Sequence, residues 1–576
     1  MSGIESTGFP LSFHHTCDEN NLQSNGKIKQ NTYGSIEDCS VDAEEHITPP
    51  TQLTFDLVVD VLIVGGGMSG MYAMWKFRRL DLSVKLLEAG SYFGGAWHWN
   101  RYPGARVDSE TPYYGLSIPE VYQSWSYTER FPDHVELRKY FAHVDKTLDL
   151  VKDTYFNTVV TGANFDKNRA TWTVRTGAGG STYKIHIPVF ENMAEYKGEM
   201  FHSARCPDRF NATGKKIACI GSGATGVQIV QALARERCQI HAYVRTPNIA
   251  IPMKQRPMTQ GEQDRDRPLY AAIYAYAKRT RSGFPYSPTL QSTWDLAEEA
   301  RERFWEELWE KGGIRVLVSN FPDLITDREA NRLMYDFWAR KVRARMTDPV
   351  KRDIVAPLHQ PHWFGTKRPS LEHDYYECVD QENVTLVNLQ ETSIRQFTGT
   401  GIELSDRHED YDTIILATGY DSVTGSLTEM GLADTDGNFL KDIWAKGVET
   451  YLGLTITGFP NMFMIYGPQS PISFANAPAI IETQVDWAFA AIKKMRQERI
   501  SYIDAQSEAC RAWKQSIQAM SDRTLYPETD SWYMGTNVPG KVKEPLTYLN
   551  GLSLYAAAIQ DALDGWEGFR VVKDIR

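Results

Sequence analysis

The sequence predicts an α/β protein with two dinucleotide-binding (Rossmann-like) domains and a helical insertion in the second. Three observations predict it. An apolar strand runs into a glycine-rich loop and then an apolar helix in "VDVLIVGGGMSGMYAMWKF", and the same order recurs in "KKIACIGSGATGVQIVQALAR". From about 255 to 350 the apolar spacing turns helical, as in "LAEEARERFWEELWEKGG".

The bulk composition narrows the function classes. A chain of 576 residues is long enough for two to four domains. Its formal net charge of -11 offers no basic field for nucleic acid. The seven cysteines show neither metal-site spacing nor a secreted disulfide framework. No run of about 18 apolar residues occurs, so no membrane span is expected. The N-terminus lacks a charged start followed by an apolar block, and the expectation is a cytoplasmic protein. Residues 1–50 are polar and read as a flexible arm.

In the first loop, Gly65 permits a tight turn, Gly67 lets the backbone approach a pyrophosphate, and Gly70 permits close helix packing. The helix N-terminus then faces the phosphates. Glu88 ends the next strand, 23 residues after Gly65, where a carboxylate can accept from a ribose 2′-hydroxyl. In the second loop Gly221, Gly223 and Gly226 repeat the pattern, but the following strand "QIHAYVRT" ends at Arg245 and Thr246. A guanidinium there suits a 2′-phosphate, which a carboxylate would repel. The pair of sites predicts a tightly held flavin (FAD) and an exchanging NADPH. A flavin-disulfide reductase would need a closely spaced cysteine pair after the first helix, and there is none.

Longer segments are more specific. "GGAWHWNRYPGARVDSE" (94–110), "FGTKRPSLEHDYYE" (364–377), "GFPNMFMIYGPQSP" (458–471) and "SWYMGTNVPGKVKEPLTYLNG" (531–551) resemble segments of type I Baeyer–Villiger monooxygenases, the class B flavoproteins. The resemblance covers nearly everything after about residue 55. It implies an enzyme that uses FAD, NADPH and O2 to insert one oxygen atom beside a ketone, giving an ester or lactone. It implies an aspartate near the flavin at Asp108 and an arginine over its reactive face at Arg368. It also implies a 2′-phosphate contact at Lys367, a mobile aromatic at Trp532, and aromatics beside the flavin at Trp97 and Trp99. Negative charge develops on oxygen in such a reaction; a fixed cation such as Arg368 stabilises it by roughly 3–4 kcal/mol. A bulky secondary metabolite is the substrate that family breadth suggests. Two other readings stay open: a heteroatom-oxygenating relative, and an FAD-binding relative that catalyses a non-oxidative cyclisation or isomerisation. Oligomeric state is not indicated.

On this reading residues 51–190 form the first part of the FAD-binding domain, 191–385 the NADPH-binding domain, and 386–576 the second FAD part with the C-terminal region. "EYKGEMFHSARCPD" matches the family fingerprint through Tyr196, Gly198, His202 and Pro207, with Cys206 where tryptophan is usual. His202 is expected to act as a hinge or relay between domains rather than as a base at the ketone. The family places an apolar strand ending in Ala-Thr-Gly ahead of this fingerprint. Here only "TYKIHIPVF" stands there, and Pro188 limits it to an edge strand. The later Ala417-Thr418-Gly419 is intact. The first crossing between the domains is therefore expected to be shortened.

Overall fold

The computed structural model describes residues 11–14, 57–178, 184–472 and 475–575. Within the arm, read as flexible and able to fold over the main body, Leu11–His14 form strand β1, which bonds to two neighbouring strands. The rest of residues 1–50 lies outside the described residues.

The first unit begins with β2 (Val58–Val59) and β3 (Val61–Val64). Helix α1 (Met68–Phe77) follows the first glycine loop, and then come β4 (Val84–Leu87) and β5 (Thr154–Tyr155). Strands β3, β4 and β5 form a parallel sheet in that order. Both faces of such a sheet are covered, which is why β4 is almost wholly apolar. Helix α1 buries Met71, Met74 and Phe77 and packs on the long helix Ala477–Glu498. An antiparallel hairpin, β6 (Thr158–Asp166) and β7 (Thr171–Ala178), joins β1 and β2 in a second sheet of order β2-β1-β7-β6.

Lys184–Phe190 carries the expected edge strand only as a single bridge, Ile185 opposite Tyr420. His186 N–H donates to Gly419 at 2.9 Å, and Lys184 accepts from Asp421 at 2.9 Å. From Pro188 to Phe190 pairing lapses, with Val189 99% exposed, and it resumes only as a bridge from Glu191 to Gln396.

The second unit contains β8 (Glu199–His202), β9 (Lys216–Ile220) and β10 (Gln239–Val244), with helix Ala224–Leu233 after the second glycine loop. A short pair, β11 (Ile251–Pro252) and β12 (Leu371–Glu372), flanks the helical insertion. Strands β13 (Val384–Asn388) and β17 (Thr413–Leu416) complete a five-stranded parallel sheet of order β13-β10-β9-β17-β8. A meander of β14 (Ile394–Phe397), β15 (Gly401–Leu404) and β16 (His408–Asp410) lies between them in sequence. The expected division after residue 385 therefore cuts through β13; this sheet runs on to Leu416. The insertion is helical, and Trp305 and Trp309 are buried against Phe337 in its core. The tail also contains an antiparallel pair not read from the sequence, β18 (Ile500–Ala505) and β19 (Phe569–Lys573).

Among the described residues β3 is the outer strand of its sheet. Beside it lies a cavity of about 590 Å³, lined in part by Met462–Gly467. Among the described residues no helix is long and apolar enough to cross a membrane.

Candidate active site

Each glycine loop delivers a helix N-terminus. Gly65 and Gly221 share a left-handed backbone, with φ of 101° and 122°, that side chains disfavour. Gly67 and Gly223 cap their helices without any side-chain bond, leaving the first N–H groups facing outward. A Cβ added at Gly70 would lie 1.9 Å from the Gly65 carbonyl, and one at Gly226 would lie 2.0 Å from that of Gly221. Glu88 is buried and accepts from the Gly66 and Gly90 N–H groups at 2.5 and 2.6 Å. Burial pushes its carboxyl up, and those backbone bonds oppose the shift. The expected ribose acceptor thus also braces the loop. These open, donor-lined turns fit the diphosphates of FAD and of NADPH.

Helix α2 (Ala96–Trp99) follows the first loop and carries the two expected aromatics. Trp97 donates to the Tyr114 hydroxyl at 2.8 Å. Trp99 stacks under the Arg205 guanidinium at 4.5 Å. Asp108 and Arg368, 260 positions apart, form a two-point ion pair at 2.5 and 3.0 Å. Burial works against the Arg368 charge, but Asp108 outweighs it and holds the guanidinium protonated. The Asp108 loop rests on the second unit: Gln228 donates to the Arg106 carbonyl at 3.0 Å and accepts from Tyr102 at 2.9 Å. The Arg368 turn is tied to the C-terminal region by the Thr366 and Thr529 hydroxyls, 2.7 Å apart.

Arg245 is exposed at the end of β10, and the Thr246 carbonyl accepts from Ser222 of the second loop at 2.7 Å. Lys367 lies within electrostatic reach: its ammonium is pushed down first by burial and then by the Arg245 charge. Two cations brought together beside a glycine loop, from positions 122 apart, suit a phosphate dianion.

The fingerprint joins the units at three points. His202 is buried; its Nδ1 accepts from Ala204 N–H, so Nε2 carries the proton and donates to the Gly419 carbonyl at 3.0 Å. Burial lowers its pKa to about 4. Arg205 covers Trp99, and Asp208 pairs with Arg101 at 2.9 Å. Cys206 is buried in the apolar core of the second unit, and burial pushes its thiol up to about 12.

Comparison with known proteins agrees with this geometry. A family described as NAD(P)-binding Rossmann-like domain matches residues 63–128. The FAD-binding monooxygenase acrE of Aspergillus aculeatus is 40% identical over 90% of this chain and 90% of its own length. Cyclopentanone 1,2-monooxygenase of a Comamonas species is 39% identical over 89% of this chain and 96% of its own. This chain belongs to the Baeyer–Villiger monooxygenases. Among solved structures, cyclohexanone monooxygenase from Rhodococcus sp. Phi1 bound to NADP+ superposes with a TM-score of 0.85 at 31% identity, covering 90% of this chain and 99% of that one. As a Baeyer–Villiger monooxygenase it is a flavin-dependent oxidoreductase with FAD and NADPH as cofactors.

Two residues of this Baeyer–Villiger site escaped the sequence reading. Tyr533 is fully buried, bonds Arg368 and lies within electrostatic reach of Asp108 and Tyr466. Tyr466 sits in the "IYGPQSP" turn with φ of 63° and adds to the environment of Arg368. The signal for Tyr533 was its place next to Trp532, whose ring centroid is 4.2 Å from its own. Trp532 itself packs in a small cluster with Ile325 of the helical insertion, where a shift of either segment would move it.

Proposed function

We propose that this Baeyer–Villiger monooxygenase acts on a bulky cyclic ketone, with Arg368 and Asp108 as its central site residues. The observation that carries the assignment of roles is the two-point bond between Asp108 and Arg368. FAD, when bound, supplies the redox chemistry that takes electrons from NADPH and activates O2. The protein's part is positional and electrostatic. Arg368 places a permanent positive charge where oxygen-centred negative charge grows, and Asp108 fixes the plane of the guanidinium. Arg245, Lys367 and Thr246 select the 2′-phosphate of NADPH. Gly65, Gly67, Gly70 and Glu88 hold FAD, with Trp97 and Trp99 beside it; Gly221, Gly223 and Gly226 hold NADPH. Trp532 serves as the aromatic gate next to the nicotinamide. Residues 57–190 and 417–575 form the FAD domain, and 191–416 the NADPH domain. The likeness to a steroid monooxygenase, 34% identical with a TM-score of 0.83, supports a polycyclic ketone as substrate.

The absence of an Ala-Thr-Gly strand ahead of the fingerprint carries the rival reading, an FAD-binding relative that performs a non-oxidative step. One experiment separates the two. The purified protein is reduced with NADPH without oxygen, then given air and a panel of ketones. Bleaching of the flavin followed by ester or lactone supports oxygenation; unbleached flavin with isomerised substrate supports the rival.

A further inference from the structure

The two glycine-loop units share a turn but differ in what covers the strand before it. In the second unit β9 is flanked on both sides, by β10 and by β17. Strand β17 sets Ile414 beside Ala218, Ile415 beside Cys219 and Leu416 beside Ile220. Its end crowds the first glycine: a Cβ added at Gly221 would lie 2.3 Å from the Ala417 carbonyl oxygen. In the first unit β3 pairs with β4 alone among the described residues. Gly65 has the same left-handed backbone as Gly221, yet an added Cβ would meet nothing within 4 Å.

The open side of β3 is the cavity of about 590 Å³. It follows the strand from Asp60 to Gly65, roughly 20 Å at about 3.3 Å per residue. Its walls are mainly apolar, with Trp172, Leu427, Met464 and Ile492 among them. Val61 and Gly65 direct their N–H groups to the β4 side, bonding Ser83 and Leu87 at 3.1 and 2.8 Å. Alternation along a parallel strand then turns the peptide groups of Leu62 and Val64 into the cavity. A hydrocarbon would fill the volume but leave those groups without partners; an extended peptide meets both demands.

We propose that this cavity is a strand-acceptor site, taking an apolar peptide segment of about six residues from a partner chain. The segment lies along β3 as β17 lies along β9. Its chemistry is that of β17: β-branched and leucine side chains, then small residues where the strand meets the glycine loop. The acceptor edge adjoins the FAD loop, with which it shares Gly65, Gly67 and Gly70, and its test reads no turnover.

The probe is a synthetic peptide with the sequence of residues 413–419, Thr-Ile-Ile-Leu-Ala-Thr-Gly, carrying a charged tail for solubility. Added to the full chain, it is expected to raise the melting temperature by several degrees. It should also slow amide hydrogen exchange at Leu62 and Val64 by at least tenfold. A peptide with proline in place of its leucine should do neither. A variant with the same seven residues inserted ahead of Lys184 should show the slowed exchange unaided and ignore added peptide. Strong protection of Leu62 and Val64 in the free protein would overturn the proposal, because the edge would already be covered. So would equal stabilisation by the proline peptide or by a dodecyl amphiphile, which would make the cavity a general apolar pocket.

Discussion

Arg368 grips Asp108 through two bonds, Nε to Oδ2 at 2.5 Å and Nη2 to Oδ1 at 3.0 Å, and so joins a loop of the first unit to a turn beside the second. Breaking this pair has a specific cost. Arg368→Ala should retain FAD but lower kcat for ester formation by about 10²–10³, the range for removing one preorganised donor. Arg368→Lys keeps the charge and loses the planar two-point contact, so only partial recovery is expected. Steady-state oxygenation with flavin content measured in parallel checks both.

Arg245 and Lys367 set the choice of nicotinamide. Arg245→Ala should raise KM for NADPH by about 10- to 100-fold, the equivalent of a lost charge-assisted bond. Its effect on NADH should stay within about threefold. Flavin reduction rates measured with each nucleotide give the comparison; equal effects would remove the 2′-phosphate contact.

Much of this was legible in the sequence, for uneven reasons. The glycine loops announce themselves because turn, helix start and following strand are local. The Asp108–Arg368 pair has no local signal, since 260 residues separate its members; only the resemblance brought it forward. The β18–β19 pair was missed because Ile500–Ala505 follows a long helix directly and its partner lies at the chain end. Strand β13 was cut by the expected boundary because a parallel strand of five residues looks like any short apolar run. The open side of β3 among the described residues was not legible: the sequence showed only that no apolar strand ending in Ala-Thr-Gly precedes Tyr196, which led to the expectation of a shortened crossing.

His202 makes stability depend on pH. Its pKa falls from an ordinary value near 6.5 to about 4 because the ring is buried. The unfolded chain therefore binds more protons between those limits. The contribution is complete above about pH 6.5 and is lost as pH falls toward 4, at most about 3 kcal/mol. Buried His98 and half-buried His134 and His362, also lowered to about 4, act in the same direction. Denaturant melts from pH 4 to 8 should show stability rising with pH, with a shallower rise in His202→Gln.

Cys206 should be chemically quiet. Burial holds its thiol at about 12, so little thiolate exists at pH 8. Peptide mass mapping after iodoacetamide should find it unmodified in the native protein and fully modified after denaturation. Rapid native alkylation would mean that the fingerprint opens more readily than its three tethers suggest.

The cavity along β3 also changes how the molecule answers to force. A groove of about 590 Å³ along an apolar strand edge is packed less densely than the closed sheet of the second unit. Internal void is volume that unfolding abolishes, and compression favours whichever state is smaller. Hydrostatic pressure should therefore separate the halves of this protein: the first unit yields early, while the second, with β17 in place, stays folded.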